Sequence, residues 1–118
     1  MRKTILLIDD NCDLNIIVAA HLRDEGFEVK SVCDGETALT LLKQQSYDFV
    51  IIDYRLPGKN GVEVIKSIDK LDPEIKIIFI SAEFVDDLQN IAVSSGASFC
   101  LDKPFSLIAL TDFLRNKS

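Results

Sequence analysis

Five times along this chain a short apolar run is followed by a longer stretch of helical periodicity, and few architectures accommodate that rhythm. The runs are Ile5-Leu6-Leu7-Ile8, Phe27 to Val32, Phe49-Val50-Ile51-Ile52, Ile75 to Ile80 and Phe99-Cys100-Leu101. All but the second are nearly unbroken in apolar residues, as strands covered on both faces are. In the second, Phe27, Val29 and Ser31 alternate with Glu28 and Lys30, which predicts an edge strand with one face partly wet. The intervening stripes are Leu14, Ile17, Val18 and Leu22; Ala38, Leu41 and Leu42; Val64, Ile65, Ile68 and Leu71; Leu88, Ile91 and Ala92; and Leu107, Leu110 and Leu114. Gly26 stands where the first helix should end, Asn60 with Glu63 resembles a capping box, and Ser106 is placed to cap the fifth helix. Strand–helix repetition with short links implies right-handed crossovers and a parallel sheet with helices on both faces. The expectation is one doubly wound α/β domain over residues 1–118, with no linker, low-complexity tract or solenoid repeat.

Composition narrows the function classes. At 47% hydrophobic and 27% charged, the 118 residues have the balance of one globular domain, not of a disordered chain. A formal net charge of −6 with scattered Lys and Arg argues against direct nucleic-acid contact, which needs a basic face. No apolar run is long enough to cross a bilayer. The apolar stretch after Met1-Arg2-Lys3-Thr4 runs straight into Asp9 and Asp10, so it reads as a first strand and not as a secretory signal. A cytoplasmic location is expected. Cys12, Cys33 and Cys100 form no C-x-x-C pair and no metal-ligand cluster, and the reading is free, mostly buried thiols in a reducing compartment.

In an open parallel sheet all strands end on one side, and ligands bind there. The residues that follow the apolar runs are therefore the candidates: Asp9 and Asp10 after the first, Asp53 after the third, Ser81 after the fourth and Lys103 after the fifth. Asp34 follows the second strand, but an edge position holds it away from the centre. Taken singly each has an ordinary explanation: an Asp pair caps helices, Asp53 precedes a Pro-Gly turn, and Lys103-Pro104 says little. Their joint placement at neighbouring strand ends is hard to assign to turns. Carboxylates a few ångströms apart repel by roughly 4 kcal/mol per pair at an effective dielectric near 20, and each raises the pKa of the others unless a cation sits among them. One lysine does not offset three carboxylates. A hard divalent ion with oxygen ligands does, and Mg²⁺ takes one or two carboxylates and keeps several waters.

These residues carry a family resemblance. Ile8-Asp9-Asp10, the run from Ile52-Asp53-Tyr54 through Leu56-Pro57-Gly58-Lys59-Asn60-Gly61, Ile80-Ser81-Ala82, and Gly96-Ala97 leading to Lys103-Pro104-Phe105 resemble the motifs of response regulator receiver domains, in order, from Lys3 to about Leu114. The resemblance implies a flavodoxin-like fold with strand order 2-1-3-4-5, as in the family's chemotaxis regulator. It implies that Asp53 takes a phosphoryl group from a phosphohistidine donor, on a sensor histidine kinase or a histidine phosphotransfer protein. It makes Asp10, Asp53 and the backbone carbonyl of Arg55 ligands of Mg²⁺, with Asp9 acting through water. Lys103 then neutralises phosphoryl oxygens, Ser81 turns inward to bond one of them, and a cis peptide before Pro104 aims Lys103 at the site. On the same resemblance the domain is expected to be a phosphoacceptor switch and not an enzyme in the usual sense, apart from assisting its own phosphotransfer and slow dephosphorylation. It is expected to change the binding of a downstream protein or output domain, through the surface of the fourth and fifth helices. Whether such a chain stands alone or belongs to a longer regulator is left open by the resemblance.

The chain departs from the family pattern at Cys100, where an aromatic residue usually reports the phosphorylated state. Strand side chains alternate, so Phe99 should point to the other face and not substitute. Cys100 reads as a small core residue, and the output change is expected to run through the Ser81 loop and the fourth helix. Arg55 and Glu83 are expected to form a partly exposed ion pair over the site, worth under about 1 kcal/mol. His21 reads as a partly exposed helix residue, while Tyr47 and Phe84 fit either core or partner contact. Three other functions compete. A phosphohydrolase with a strand-end Asp nucleophile wants an acid where Arg55 stands. A flavodoxin-type carrier wants a small-residue phosphate loop where Asp9-Asp10-Asn11 stands. A degenerate receiver, used only as a protein-interaction module, would not need the full acidic set with Ser81 and Lys103.

Overall fold

In the computed structural model, which describes residues 2–58, 60–82, 87–103 and 105–117, the five runs become strands and the five stripes become helices. In chain order these are β1 (Thr4–Ile8), α1 (Cys12–Asp24), β2 (Glu28–Val32), α2 (Gly35–Gln44), β3 (Phe49–Asp53), α3 (Gly61–Leu71), β4 (Lys76–Ser81), α4 (Leu88–Ser95), β5 (Phe99–Asp102) and α5 (Leu107–Lys117). The four strand pairings are parallel and the sheet order is β2-β1-β3-β4-β5, as the resemblance implies.

Alternation along the strands splits the core in two. Leu6, Ile8, Val50, Ile52, Ile77 and Phe79 bury one face of the sheet with Ala38, Val64, Ile65, Ile68 and Ala92 from α2, α3 and α4. Ile5, Leu7, Phe49, Ile51, Ile78 and Ile80 bury the other with Val18, Leu22, Leu110 and Leu114 from α1 and α5. Every residue of the central strand β3 is buried, whereas β2 keeps Glu28 and Lys30 exposed, the wet edge its alternation predicts. Phe99 and Cys100 divide as expected too. Phe99 stacks on Phe113 at 4.1 Å on the α1/α5 side, and Cys100 packs against the opposite core. Tyr47, open between two readings, is a core residue.

The helix ends obey local chemistry. Asn11, Asp34 and Asn60 accept hydrogen bonds from the amides three residues on, at 3.1, 2.8 and 3.0 Å, and Ser106 does the same for Ala109 at 3.2 Å. At the end of α1, Phe27 N–H bonds the Leu22 carbonyl and Gly26 N–H that of Arg23, with Gly26 at φ +98°. That is a Schellman ending, and only glycine takes its φ without strain. Asp34 is spent on its cap at the sheet edge, and the Thr37 amide holds its carboxyl below the usual range.

Two expectations need correction. Ile17, Leu71 and Ile91 sit in the apolar stripes but are exposed, at 60%, 45% and 46%. On α1 the buried residues are Asn15, Val18, Ala19 and Leu22, and Ile17 lies about 100° round the helix from Val18. The cysteines are not all free thiols. Cys12 and Cys33 form a disulfide with Cα atoms 6.2 Å apart, and Cys100 alone is free. Spacing of 21 residues hid the pair; the parallel pairing of β1 with β2 brings α1's first residue beside the end of β2. The expectations for Glu83, Phe84 and the peptide before Pro104 lie outside the described residues.

Candidate functional site

The register fixes which side chains meet. Ile8 lies level with Val32 on one side and Ile52 on the other, Asp53 with Ile80, and Ser81 with Asp102. The residues at and just past these positions therefore share one rim of the sheet. Asp9, Asp53 and Ser81 are buried there, at 4%, 5% and 6% exposure, while Asp10 reaches solvent.

Carboxylate oxygens of Asp9, Asp10 and Asp53 lie within 4.8 Å of one another. Lys103 crosses from the end of β5 to join them. Its Nζ donates to Asp53 Oδ2 at 2.6 Å and to Asp9 Oδ2 at 3.3 Å, and its backbone N–H bonds the Ser81 carbonyl at 2.9 Å. The other Asp53 oxygen accepts the Arg55 amide at 3.4 Å, and the other Asp9 oxygen accepts the Asn11 amide at 2.9 Å. The turn after Asp53 is closed by the Gly61 amide on the Tyr54 carbonyl at 2.6 Å. A Cβ at Gly61 would strike the Asp53 carbonyl oxygen, so glycine is required for α3 to start so close beneath the site. Asp10, Tyr54, Arg55, Leu56, Pro57 and Asn60 line an open hollow beside the carboxylates. The sequence-predicted Asp9, Asp10, Asp53, Ser81 and Lys103 thus come together, Arg55 joins them through its backbone, and Asp34 stays apart.

One contributor escaped the sequence reading. Asn15 is buried and donates to the carbonyls of Asp9 at 2.9 Å and Val32 at 3.3 Å, tying the acidic loop to the end of β2. Its signal was a polar residue in phase with Val18 and Leu22 on the inward stripe. His21 also has a partner, Thr111 Oγ1 at 3.1 Å, which itself donates to the Leu107 carbonyl at 2.8 Å.

The electrostatics follow from burial. Desolvation pushes the Asp9 carboxyl up to about 6; the Asn11 amide opposes the rise, Asp53's charge adds to it, and Lys103 tempers it. Burial would lower Lys103, but its bond to Asp53 and the charges of Asp53 and Asp9 outweigh that and raise it. Among the described residues Lys103 is the ammonium that meets these carboxylates, and an all-oxygen donor set of this kind suits a hard divalent cation.

The shift carries a pH signature. Asp9 is raised from 3.8 to about 6 on folding, so the native chain holds more protons than the unfolded one between those values. The stabilisation by protonated Asp9 is complete below the unfolded pKa and is lost as pH rises through about 6. Asp9→Asn should abolish that loss. In chelator-treated protein the variant's advantage in thermal stability is expected to grow from near zero below pH 4 to at most roughly 3 kcal/mol above pH 6. A pH-independent difference would contradict the assignment.

A 2-1-3-4-5 parallel sheet with an acidic cluster and a lysine at its C-terminal rim defines a regulatory α/β domain of the receiver class. Comparison with known proteins agrees: residues 5–115 match the response regulator receiver domain, and the chain belongs to that family. It is similar to the chemotaxis protein CheY-3 of Vibrio cholerae, 35% identical over 114 residues, covering 93% of this chain and 87% of that one. The DNA-binding response regulator MtrA of Mycobacterium tuberculosis is 33% identical over 105 residues, covering 89% of this chain but 46% of MtrA. YcbL of Bacillus subtilis, an uncharacterized transcriptional regulatory protein, is 35% identical over 106 residues, again 46% of its length. The chain therefore spans about half of these longer relatives. Among solved structures, CheY4 of Vibrio cholerae superposes with TM-score 0.90 at 25% identity, covering 98% of both chains. A CheY-like receiver domain protein from Methanospirillum hungatei shares the fold, with TM-score 0.95 at 23% identity over 99% of this chain and 94% of that one. This is a receiver domain of two-component signalling, a regulatory domain of a family that works with histidine kinases and downstream effectors. Among the described residues, no helix is long and apolar enough to cross a membrane.

Proposed function

We propose that this domain is a phosphorylation switch whose acceptor is Asp53. The observation that carries the reading is a buried Asp53 carboxylate bonded by Lys103 Nζ and clustered with the carboxylates of Asp9 and Asp10. An oxygen of Asp53 attacks the phosphorus of a phosphohistidine, the P–N bond breaks with the electron pair going to the imidazole, and an acyl phosphate forms. Asp10, Asp53 and the carbonyl of Arg55 would hold Mg²⁺, with Asp9 acting through water. That ion, when bound, offsets charge on the phosphoryl oxygens. Lys103 supplies the opposing positive charge from the β5 side, and the hydroxyl of Ser81, the buried last residue of β4, would bond a phosphoryl oxygen after transfer. Catalysis by these groups is positioning and charge stabilisation, with no group of the domain leaving changed except Asp53.

An apolar seat for the donor lies beside the rim. Leu14, Ile17, Val18, Ala82, Phe105 and Leu107 line an apolar hollow that reaches Lys103, and the exposed Ile17 extends it along α1. A histidine-bearing helix laid there would present its phosphoryl group to the rim. On the output side Cys100 fills the position of the usual aromatic, so the change is relayed by the segment after Ser81 and by α4.

A small acyl phosphate or phosphoramidate, supplied with Mg²⁺, tests this reading. One phosphoryl group per chain is expected, mapped to the peptide containing Asp53 after reductive trapping, and lost with chelator. No incorporation, with no response to beryllofluoride, would instead make the domain a phosphorylation-independent interaction module.

A further inference from the structure

Cys12 and Cys33 meet at a junction that anchors the acidic loop. Cys12 is the exposed first residue of α1, two positions after Asp10, and Cys33 directly follows Val32 at the end of β2. The Val32 carbonyl already receives the Asp9 amide at 3.2 Å and the Asn15 side chain at 3.3 Å. The disulfide, with Cα atoms 6.2 Å apart, adds a covalent tie beside those hydrogen bonds. That separation is within ordinary bridging reach, so opening and closing the bond asks for little backbone movement. Both sulfurs belong to segments that solvent reaches, since Cys12 is exposed and Cys33 half-buried. In proteins of reducing compartments such bonds are transient and serve catalysis or redox sensing. Nothing in the phosphoacceptor chemistry uses either cysteine.

We propose that Cys12 and Cys33 are a reversible thiol–disulfide pair that stiffens the loop carrying Asp9 and Asp10, so that oxidation tightens the rim's hold on a divalent cation. The cation half of this inference rests on the reading of Asp10 and Asp53 as its ligands. The oxidant class is a low-molecular-weight disulfide. One protein thiolate attacks it and expels one thiolate; the second protein thiolate then attacks the mixed disulfide and expels the other. Two electrons pass from the cysteines to the oxidant, which leaves as two thiols carrying the two protons. The effect on the cation follows from order. Three mutually repelling carboxylates must be gathered around the ion, and a loop already held in place loses less freedom when they are. The alternative is a purely structural cross-link with no influence on the rim.

Cys100 provides an internal count, because it stays outside the pair, and burial followed by the charge of Asp102 pushes its thiol up and away from reactivity. The full chain is equilibrated with oxidised glutathione or with dithiothreitol, then denatured and alkylated. One alkylated thiol is expected in the first case and three in the second, from three cysteines of which two pair. Hydrogen exchange at the amides of residues 11–15 should slow about tenfold on oxidation while α3 is unaffected. Mg²⁺ affinity by calorimetry should rise about three- to tenfold on oxidation, with Cys12→Ser and Cys33→Ser each fixed at the reduced value. Three alkylated thiols after glutathione treatment would overturn the pair. Equal exchange rates in the two forms would overturn the stiffening, and equal Mg²⁺ affinities would overturn its effect on the cation. If neither form binds Mg²⁺, the cation-site reading fails with that half of the inference, and hydrogen exchange still judges the loop.

Discussion

Asp53→Asn should abolish phosphoryl uptake, with labelling at least about a thousandfold below the parent, while leaving the fold intact. An amide oxygen is a poor nucleophile, and neither neighbouring carboxylate is placed to replace it. Asp9 is engaged by the Asn11 amide and Lys103, and Asp10 lies out at the exposed rim. Stability is expected to hold steady or to rise by about 1 kcal/mol, because the substitution removes one of three crowded carboxylates. It also leaves Lys103 its bond to Asp9 at 3.3 Å. Phosphotransfer assays paired with thermal melts check both halves. Label remaining on the variant, mapped to another residue of the domain, would move the acceptor elsewhere.

Phe79→Ala should cost about 3–5 kcal/mol, a large share of the 5–15 kcal/mol typical of a domain. Phe79 lies in β4, is 1% exposed, and packs edge-on against Tyr54 with ring centroids 6.1 Å apart. Tyr54 is the residue after Asp53, and its amide bonds the Ile80 carbonyl at 2.9 Å. The cavity would therefore open directly behind the turn that carries the acceptor. A denaturant midpoint far below the parent is expected, together with slower phosphoryl uptake from a small donor. Ile17→Ser is the control. It removes a similar apolar side chain from an exposed helix face, and its cost should stay within about 0.5 kcal/mol. Equal costs for the two would mean that the division between core and surface drawn for α1 is wrong.

That contrast shows where a linear pattern loses information. Ile17 and Val18 are both apolar and adjacent, so either fits a stripe, and a helix face wide enough to hold Leu14, Val18 and Leu22 has a blurred margin. Only the packing of α1 against the sheet and α5 decides which of them is covered. Asn15 was passed over for the same reason. Its value lies in two carbonyls, of Asp9 and Val32, that the chain brings within reach only after β1 and β2 pair.

The rhythm of strands and helices, the wet edge at β2, the caps at Asn60 and Ser106, and the set of polar residues at the strand ends were legible along the chain. All of these depend on near neighbours: side-chain periodicity, local hydrogen bonds, and the rule that parallel strands finish on one side. The tertiary structure decided the rest. It determined that Lys103, 50 residues beyond Asp53, lies against it at 2.6 Å. It paired Cys12 with Cys33, where spacing had pointed to free thiols. It also set how far burial raises Asp9. Those outcomes depend on strand register and on solvent exclusion, which arise between segments far apart in the chain and leave no periodic trace along it.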